Sequence, residues 1–449
     1  MQANSLRDAF DRADVLIDTY GVWGSHTYLP YGWFLRNKYV NMVREVIEWL
    51  WYSEWNFSDL ITAEDLAVMN TQVMNISGKV MPTSHGKSEK DLFLAPTHEI
   101  PVNRVLQQRI KNESDLPLRL FHTGSAFRKP KQNQFPFNLW ERRSYVEAYW
   151  VFSENADIEA EFGRIKEAIS WLIANTLVMP SVNVDRPLAT NNPVSKQTNC
   201  SDIITPFGKT QIAGMLYLHD TIFTQPFWVR YRTPGVKKKK IPRTIHFWFS
   251  DNLLLGTLLN SLDENGNFKI PPSLLPHQVM FLVDSGEENN IEAGKHKKQV
   301  CRSKNESHRY FDLAVRQWYL VIVRKTDKGS YIYLPDKNIK LPIEQIENLD
   351  DIIQQQIIDR FGSLEKIKQD KMKEWIVFIE WDNMDSINTS LKSWKIVAVP
   401  LFKSDQIVVE FEKKLACWEV LWFKESDSKM KCIQTGQETM HFAYVSRRF

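Results

Sequence analysis

The stretch Ile270-Pro271-Pro272-Ser273-Leu274-Leu275-Pro276 constrains the fold of this chain more than any other. Each proline removes an amide donor and fixes φ, so neither a helix nor a central strand can run through it. A domain boundary belongs here, closing a first unit at residues 1–272. The 449 residues are too many for one hydrophobic core, which independently calls for more than one domain. A second break falls before Trp375-Ile376-Val377-Phe378-Ile379, which gives units of 273–372 and 373–449.

Periodicity fills in these units. Tyr39, Val43, Val46, Ile47 and Leu50 share one face of a helix predicted over 35–52. Residues 118–128 and 143–152, rich in aromatic and branched side chains, read as strands on either side of the polar segment Lys129–Pro136. Ile158, Phe162, Ile165, Ile169 and Leu172 return to helical spacing. Between about 180 and 210 no period is visible, and Pro, Asn, Thr and Ser prevail. A strand-rich stretch follows over 211–250. Beyond the boundary, strand-like Val279–Val283, Trp318–Val323 and Tyr331–Leu334 precede a long helical region near 345–372. The mixture is α/β (α+β).

Composition excludes several classes. No apolar run is long enough to span a bilayer. Asp8, Asp11, Asp14 and Asp18 make the N-terminal stretch unlike a transit peptide or a secretory signal, so the expected location is the cytoplasm. Cys200, Cys301, Cys417 and Cys432 are too few and scattered for a disulfide framework. A net charge of +3 carries no chain-wide signal for nucleic acid. Lys237, Lys238, Lys239 and Lys240 form the one conspicuous charge cluster, read as a solvated hairpin tip or as a contact for RNA or a protein partner.

A series of short strings, in order along the chain, resembles the prolyl-tRNA synthetase family of class II aminoacyl-tRNA synthetases. Tyr28-Leu29-Pro30-Tyr31-Gly32-Trp33-Phe34 is similar to the family's dimer-forming first motif. Leu94-Ala95-Pro96-Thr97-His98-Glu99 looks like its R-P-T-S-E string, with Ala95 in place of Arg and His98 in place of Ser, and Asp115-Leu116-Pro117-Leu118 like its D-L-P-L. Ile270-Pro271-Pro272 through Pro276-His277-Gln278-Val279 resembles the link into the anticodon-binding domain, and Tyr444–Phe449 the end of archaeal- and eukaryotic-type members. The resemblance implies a class II synthetase-like antiparallel sheet flanked by helices over 1–272. An anticodon-binding-like αβ domain would follow over 273–372, and a small C-terminal αβ domain over 373–449.

The resemblance also implies site residues. Activating proline requires guanidinium groups on the ATP phosphates and an anionic socket for the proline ammonium. Thr97, Glu99 and Arg128 match the family's Thr, Glu and Arg around proline and the α-phosphate, and Glu147 keeps the family's residue type in the nucleotide site. Other positions depart from it. Pro130 stands at an acid, Arg143 at the aromatic that stacks on adenine, and Met215-Leu216-Tyr217 at the family's T-S-H. In the third motif Phe247-Trp248-Phe249 through Gly256 puts Phe249 at a glycine and Leu253 at the nucleotide-binding arginine. Phe249 and Leu253 are therefore expected to face and fill the ATP pocket. In the second unit Ser307 through Leu320 is similar to an anticodon-domain string, with Ser307 and Ala314 in place of lysines. In the C-terminal unit Cys432 has Thr435 where a zinc-ligating partner would stand, so no metal site is expected there.

These departures give, as the first expectation, a non-catalytic prolyl-tRNA synthetase-like paralogue acting as a binding or structural component, without cofactor. The alternatives are a divergent but active proline--tRNA ligase using ATP and Mg, and an amino-acid sensor. Expected partners are a second copy of the chain in a homodimer and tRNA or other RNA, with a protein partner for the non-catalytic reading and no membrane.

Overall fold

The computed structural model describes residues 10, 15–18, 26–83, 91–129, 141–173, 177, 179, 181–186, 194–204, 210–249, 251–261, 270, 274, 279–283, 298–301, 319–326, 329–334, 338–342, 344, 351, 355, 366, 370, 373, 376–379, 384–393, 395–415 and 419–446. Pro130, and the Ser307–Leu320 segment up to 318, lie outside them. So does most of the helical region expected near 345–372, and the side chain of Arg143.

Strands β1 (Leu16–Asp18) and β2 (His26–Tyr28) pair antiparallel and lead into helix α1 (Pro30–Trp49). Pro30 suits the first helical position, where an amide would be unbonded anyway, and so the helix begins earlier than the apolar stripe suggested. A Cβ on Gly32 would lie 1.7 Å from the Val15 carbonyl oxygen, so only glycine lets the chain cross the helix there.

Next come β3 (Ser53–Glu54), β4 (Leu60–Thr62), α2 (Ala63–Val68), β5 (Met81–Pro82), β6 (Leu92–Leu94) and α3 (Glu99–Arg109). The long strands β7 (Leu118–Phe127) and β8 (Glu141–Phe152) precede α4 (Ile158–Trp171), whose Asp157 caps the Ala160 amide. Strands β9 (Ser181–Asp185), β10 (Gln197–Ile204), β11 (Thr210–Asp220) and β12 (Arg243–Phe249) and helix α5 (Asp251–Asn260) complete the first unit. The 180–210 stretch, aperiodic in sequence, supplies β9 and most of β10. Seven of the eight β10 residues are buried, so the strand never shows the in–out alternation of a half-buried one.

One seven-stranded sheet, in the order β3-β7-β8-β12-β11-β10-β9, is antiparallel except at β3. Its two faces divide the side chains by the two-residue period of a strand. One face presents Phe121, Val146, Ala148, Trp150, Leu216, Ile245, Phe247 and Phe249 to a core shared with α1, α4 and α5. The other presents Leu120, Tyr149 and Val151 to a second core, which holds Ile61, Ile100 and Leu106 from β4 and α3. On that second face Tyr145, Tyr217 and Trp248 form a smaller aromatic cluster. Ile270 and Leu274 of the proline-rich link are buried in the first core.

A five-stranded sheet of β13 (Val279–Val283), β14 (Lys298–Cys301), β15 (Tyr319–Thr326), β16 (Gly329–Leu334) and β17 (Ile339–Pro342) follows, in the order β14-β13-β15-β16-β17. The last sheet comprises β18 (Ile376–Phe378), β19 (Ile396–Pro400), β20 (Glu419–Lys431) and β21 (Glu438–Ser446), with α6 (Met384–Lys392) and α7 (Asp405–Lys414). Ile396, Ala398, Leu421 and Tyr444 of this sheet cluster with Ile204, Val182 and Val184 at the β9–β10 edge of the first. Cys432 is buried in the C-terminal core, its sulfur 3.4 Å from the Phe402 amide. No helix among the described residues is long and apolar enough to cross a membrane.

Candidate active site

The second face of the large sheet meets the turn that opens α3, and here the buried polar residues collect. Thr97, His98 and Glu99 come from that turn. Glu147 and Tyr149 stand two apart on β8, Tyr217 and His219 on β11, and His246 and Trp248 on β12. That spacing turns each pair to the same side of its strand.

Glu147, fully buried, is the hub. Its carboxylate accepts from the Thr97 hydroxyl (2.9 Å), the His98 amide (2.9 Å) and the Tyr149 hydroxyl (2.8 Å), and lies 3.3 Å from His98 Nδ1. Burial opposes its charge, but hydrogen bonding to His98 and the nearby imidazoles prevail and hold the carboxyl far below its usual range. Thr97 also hydrogen-bonds Glu99. One hydroxyl proton cannot satisfy two carboxylates, and burial together with the Glu147 charge pushes the Glu99 carboxyl up.

Two further histidines extend from Glu99. Its Oε1 lies 3.4 Å from His246 Nδ1, which lies 3.2 Å from His219 Nε2. His219 Nδ1 donates to the Val194 carbonyl (2.7 Å), so Nε2 must be the acceptor and His246 Nδ1 the donor. Both rings are neutral: burial lowers His246 to about 4, and burial with the neighbouring His246 lowers His219 to about 3. Tyr149 stacks on His246 at 4.5 Å and 2°.

Arg128 closes the other side. Its Nε donates to the Pro96 carbonyl (2.6 Å), an Nη reaches the Tyr145 hydroxyl (3.4 Å), and the guanidinium lies over the Tyr145 ring. Tyr145 in turn packs against Trp248 at 5.5 Å. The face therefore offers an acidic pair, an aromatic wall and one guanidinium in sequence. Among the described residues, two groups of side chains carry metal-donor chemistry: Glu99, His219 and His246, and separately Asp59, His98 and His122.

Thr97, Glu99, Glu147 and Arg128, singled out in sequence, are brought together here. Met215 and Tyr217 also face the site, whereas Leu216 turns into the first core. Phe249 and Leu253 do not fill the site. Both are fully buried in the first core, on the opposite face of the sheet. Strand alternation is the reason: Trp248 faces the site, so Phe249 cannot, and its ring instead covers Gly214 on the neighbouring strand at 3.4 Å from a virtual Cβ. Lys237, Lys238 and Lys239 are exposed after the left-handed Gly235 (φ 74°), and Lys240 pairs with Glu154 at 3.0 Å. His98, His122, His219, His246, Asp59 and Tyr149 were missed in sequence. For Tyr149, His219 and His246 the available signal was polar residues at two-residue spacing inside otherwise apolar strands.

No family model matches the chain. Among curated proteins it is 24% identical over 466 residues to the proline--tRNA ligase of Methanococcus maripaludis, covering 98% of each chain. To that of Methanocaldococcus jannaschii it is 24% identical over 431 residues, covering 91% of this chain and 93% of the relative. Among solved structures, Giardia lamblia prolyl-tRNA synthetase in complex with prolyl-adenylate superposes with a TM-score of 0.85 at 16% identity, covering 100% of this chain and 98% of that one. The Cryptosporidium parvum enzyme complexed with halofuginone and AMPPNP gives 0.84 at 17%, covering 99% and 94%. The chain is a prolyl-tRNA synthetase-like protein with the class II synthetase fold.

Proposed function

We propose that this chain is a divergent proline--tRNA ligase, binding proline at the Thr97–Glu99–Glu147 socket and activating it with ATP. The observation that carries the reading is the buried carboxylate pair bridged by Thr97, with a guanidinium on the far side of an aromatic wall. Proline's secondary ammonium has two N–H donors, matched by Glu99 and the Thr97 hydroxyl. Its ring would lie against Trp248, Tyr217 and Met215. Its carboxylate would point to Arg128, where an attacking oxygen meets the ATP α-phosphate and pyrophosphate leaves. Glu147 is engaged by Thr97, His98 and Tyr149, so magnesium is expected to arrive on the ATP phosphates. Transfer to tRNA, a homodimeric state, the domain limits at 272 and 372, and a cytoplasmic location belong to the same reading. The named relatives, proline--tRNA ligases matched from end to end, support it.

A second reading, a binding paralogue without adenylate chemistry, is favoured by one observation. Leu253 lies in the core, and no arginine occurs between Arg243 and Arg302 to replace a second phosphate contact. Proline-dependent ATP–pyrophosphate exchange separates the two. Exchange above the proline-free blank establishes the ligase. Calorimetric proline binding without exchange establishes the paralogue, and the absence of both signals refutes the amino-acid socket itself.

A further inference from the structure

We infer that Asp59, His98 and His122 form a binding site for a divalent cation of the zinc class, beside the amino-acid socket and separate from it. One donor atom from each of the three lies within 4.8 Å of one from each of the others. The set is two imidazoles and a carboxylate, the donor chemistry of three-ligand zinc sites with a fourth position left open.

What raises this group above a chance cluster is how the rings are held. Histidines that bind metal through one nitrogen are typically fixed by a hydrogen bond from the other to a carboxylate or carbonyl. Here His98 Nδ1 faces the Glu147 carboxylate at ion-pair distance, and His122 Nδ1 is in hydrogen-bonding contact with the backbone. His98 Nδ1 lies 3.3 Å from Glu147, leaving Nε2 on the Asp59 side at 3.4 Å. His122 Nδ1 lies between the Trp55 carbonyl (3.1 Å) and the Phe57 amide (3.3 Å), leaving Nε2 buried without a hydrogen-bond partner. An unsatisfied buried nitrogen is costly, and a cation would remove that cost. The two rings are 0% and 1% exposed and their centroids are 4.2 Å apart, whereas the Asp59 side chain is 50% exposed and gives an ion a way in. Room around the nitrogen depends on Gly124, since a Cβ there would lie 2.3 Å from His122 Nε2.

The Glu147–His98 contact couples the two sites. A cation on His98 would orient the carboxylate that organises Thr97 and Glu99, so the metal acts as a positioning element for the socket. The competing group, Glu99 with His219 and His246, has its facing nitrogens already hydrogen-bonded to each other.

The test uses the full chain purified without chelators, with metal content measured by plasma mass spectrometry and the apo chain titrated with Co(II). One metal per chain and visible Co(II) ligand-field bands are expected. Asp59→Asn and His122→Gln should each weaken Co(II) binding at least tenfold, while His219→Gln should bind as the unmutated chain does. Asp59 is half exposed, so with metal removed its variant should unfold at the midpoint of the metal-free unmutated chain, which separates metal loss from misfolding. A chain that neither carries metal nor gives a Co(II) spectrum overturns the inference. So does metal retained in both ligand variants, or lost only in His219→Gln. The readout involves no reaction, so its outcome is independent of whether proline is activated.

Discussion

Leu253→Arg restores the arginine that the family resemblance asks for, and the structure gives it a definite consequence. If Leu253 lined the nucleotide cleft, the guanidinium would meet ATP and binding would improve. The side chain is instead fully buried in the first core, with Phe249, Leu254 and Leu258. The neighbouring position on the same face is closed as well, because a Cβ at Gly256 would lie 1.9 Å from Ile203 Cδ1. Losing the buried leucine costs about 2–5 kcal/mol. Burying a charge without a partner costs about 3–5 kcal/mol when nothing compensates it. Even the lower bounds together approach the whole stability of a domain, about 5–15 kcal/mol. Leu253→Arg should therefore lower the denaturation midpoint drastically or leave the chain insoluble, with no gain in ATP binding. Leu253→Met, which keeps the volume, should cost less than about 1.5 kcal/mol. Soluble yield, denaturant unfolding followed by tryptophan fluorescence, and ATP calorimetry read these outcomes. A soluble Leu253→Arg chain with tighter ATP binding would show that the face assignment of α5 is wrong.

Glu99→Gln removes the carboxylate that would take the proline ammonium, and a charge-assisted bond of about 1.5–3 kcal/mol predicts a loss of proline affinity of roughly 10- to 100-fold by calorimetry; unchanged affinity would remove Glu99 from the socket. Burial raises Asp202 from 3.8 to about 6, against the pull of Arg186. The folded chain thus holds this proton more tightly than the unfolded one, and the group's contribution falls as pH rises from 3.8 through about 6, then stays level. Relative to the unmutated chain, Asp202→Asn should gain about 3 kcal/mol across that window, and parallel stability profiles would refute it. Replacing exposed Lys237, Lys238 and Lys239 together by Glu should weaken tRNA binding and flatten its salt dependence by about one unit of slope for each phosphate the lysines had neutralised. An unchanged slope leaves the cluster a solvated turn.

The parts of the fold legible in sequence were those whose apolar side chains keep a helical period or form a dense aromatic and branched run. Helix α4 announces itself by an apolar stripe on one face, and strands β7 and β8, covered by a core on each side, by runs of aromatic and branched residues. Strand β10 does not: buried on both sides, it carries Thr198, Asn199, Ser201 and Asp202 as inward polar residues, and so it resembles a loop. The site was legible at Thr97, Glu99, Arg128 and Glu147 because local strings mark them. His122, His219 and His246 belong to no string, and only cross-strand register joins them to Glu99 and Glu147.

The same register changes the weight of the missing arginine. Reading Phe249 and Leu253 as a plug made the nucleotide site impassable, whereas the structure leaves both on the far side of the sheet. What remains at Leu253 itself is an absent charged group and not an obstruction. Removing one preorganised electrostatic contact typically slows a reaction by about 10²–10³. Arg128 still stands beside the socket, so a chain that lacks only the second guanidinium should be a slow enzyme, not an inert one. An exchange assay long enough to register a rate lowered by that factor is therefore the one that discriminates. Under those conditions a flat baseline means that more than one phosphate-binding group has gone, and that the proline socket has outlived the chemistry it once served.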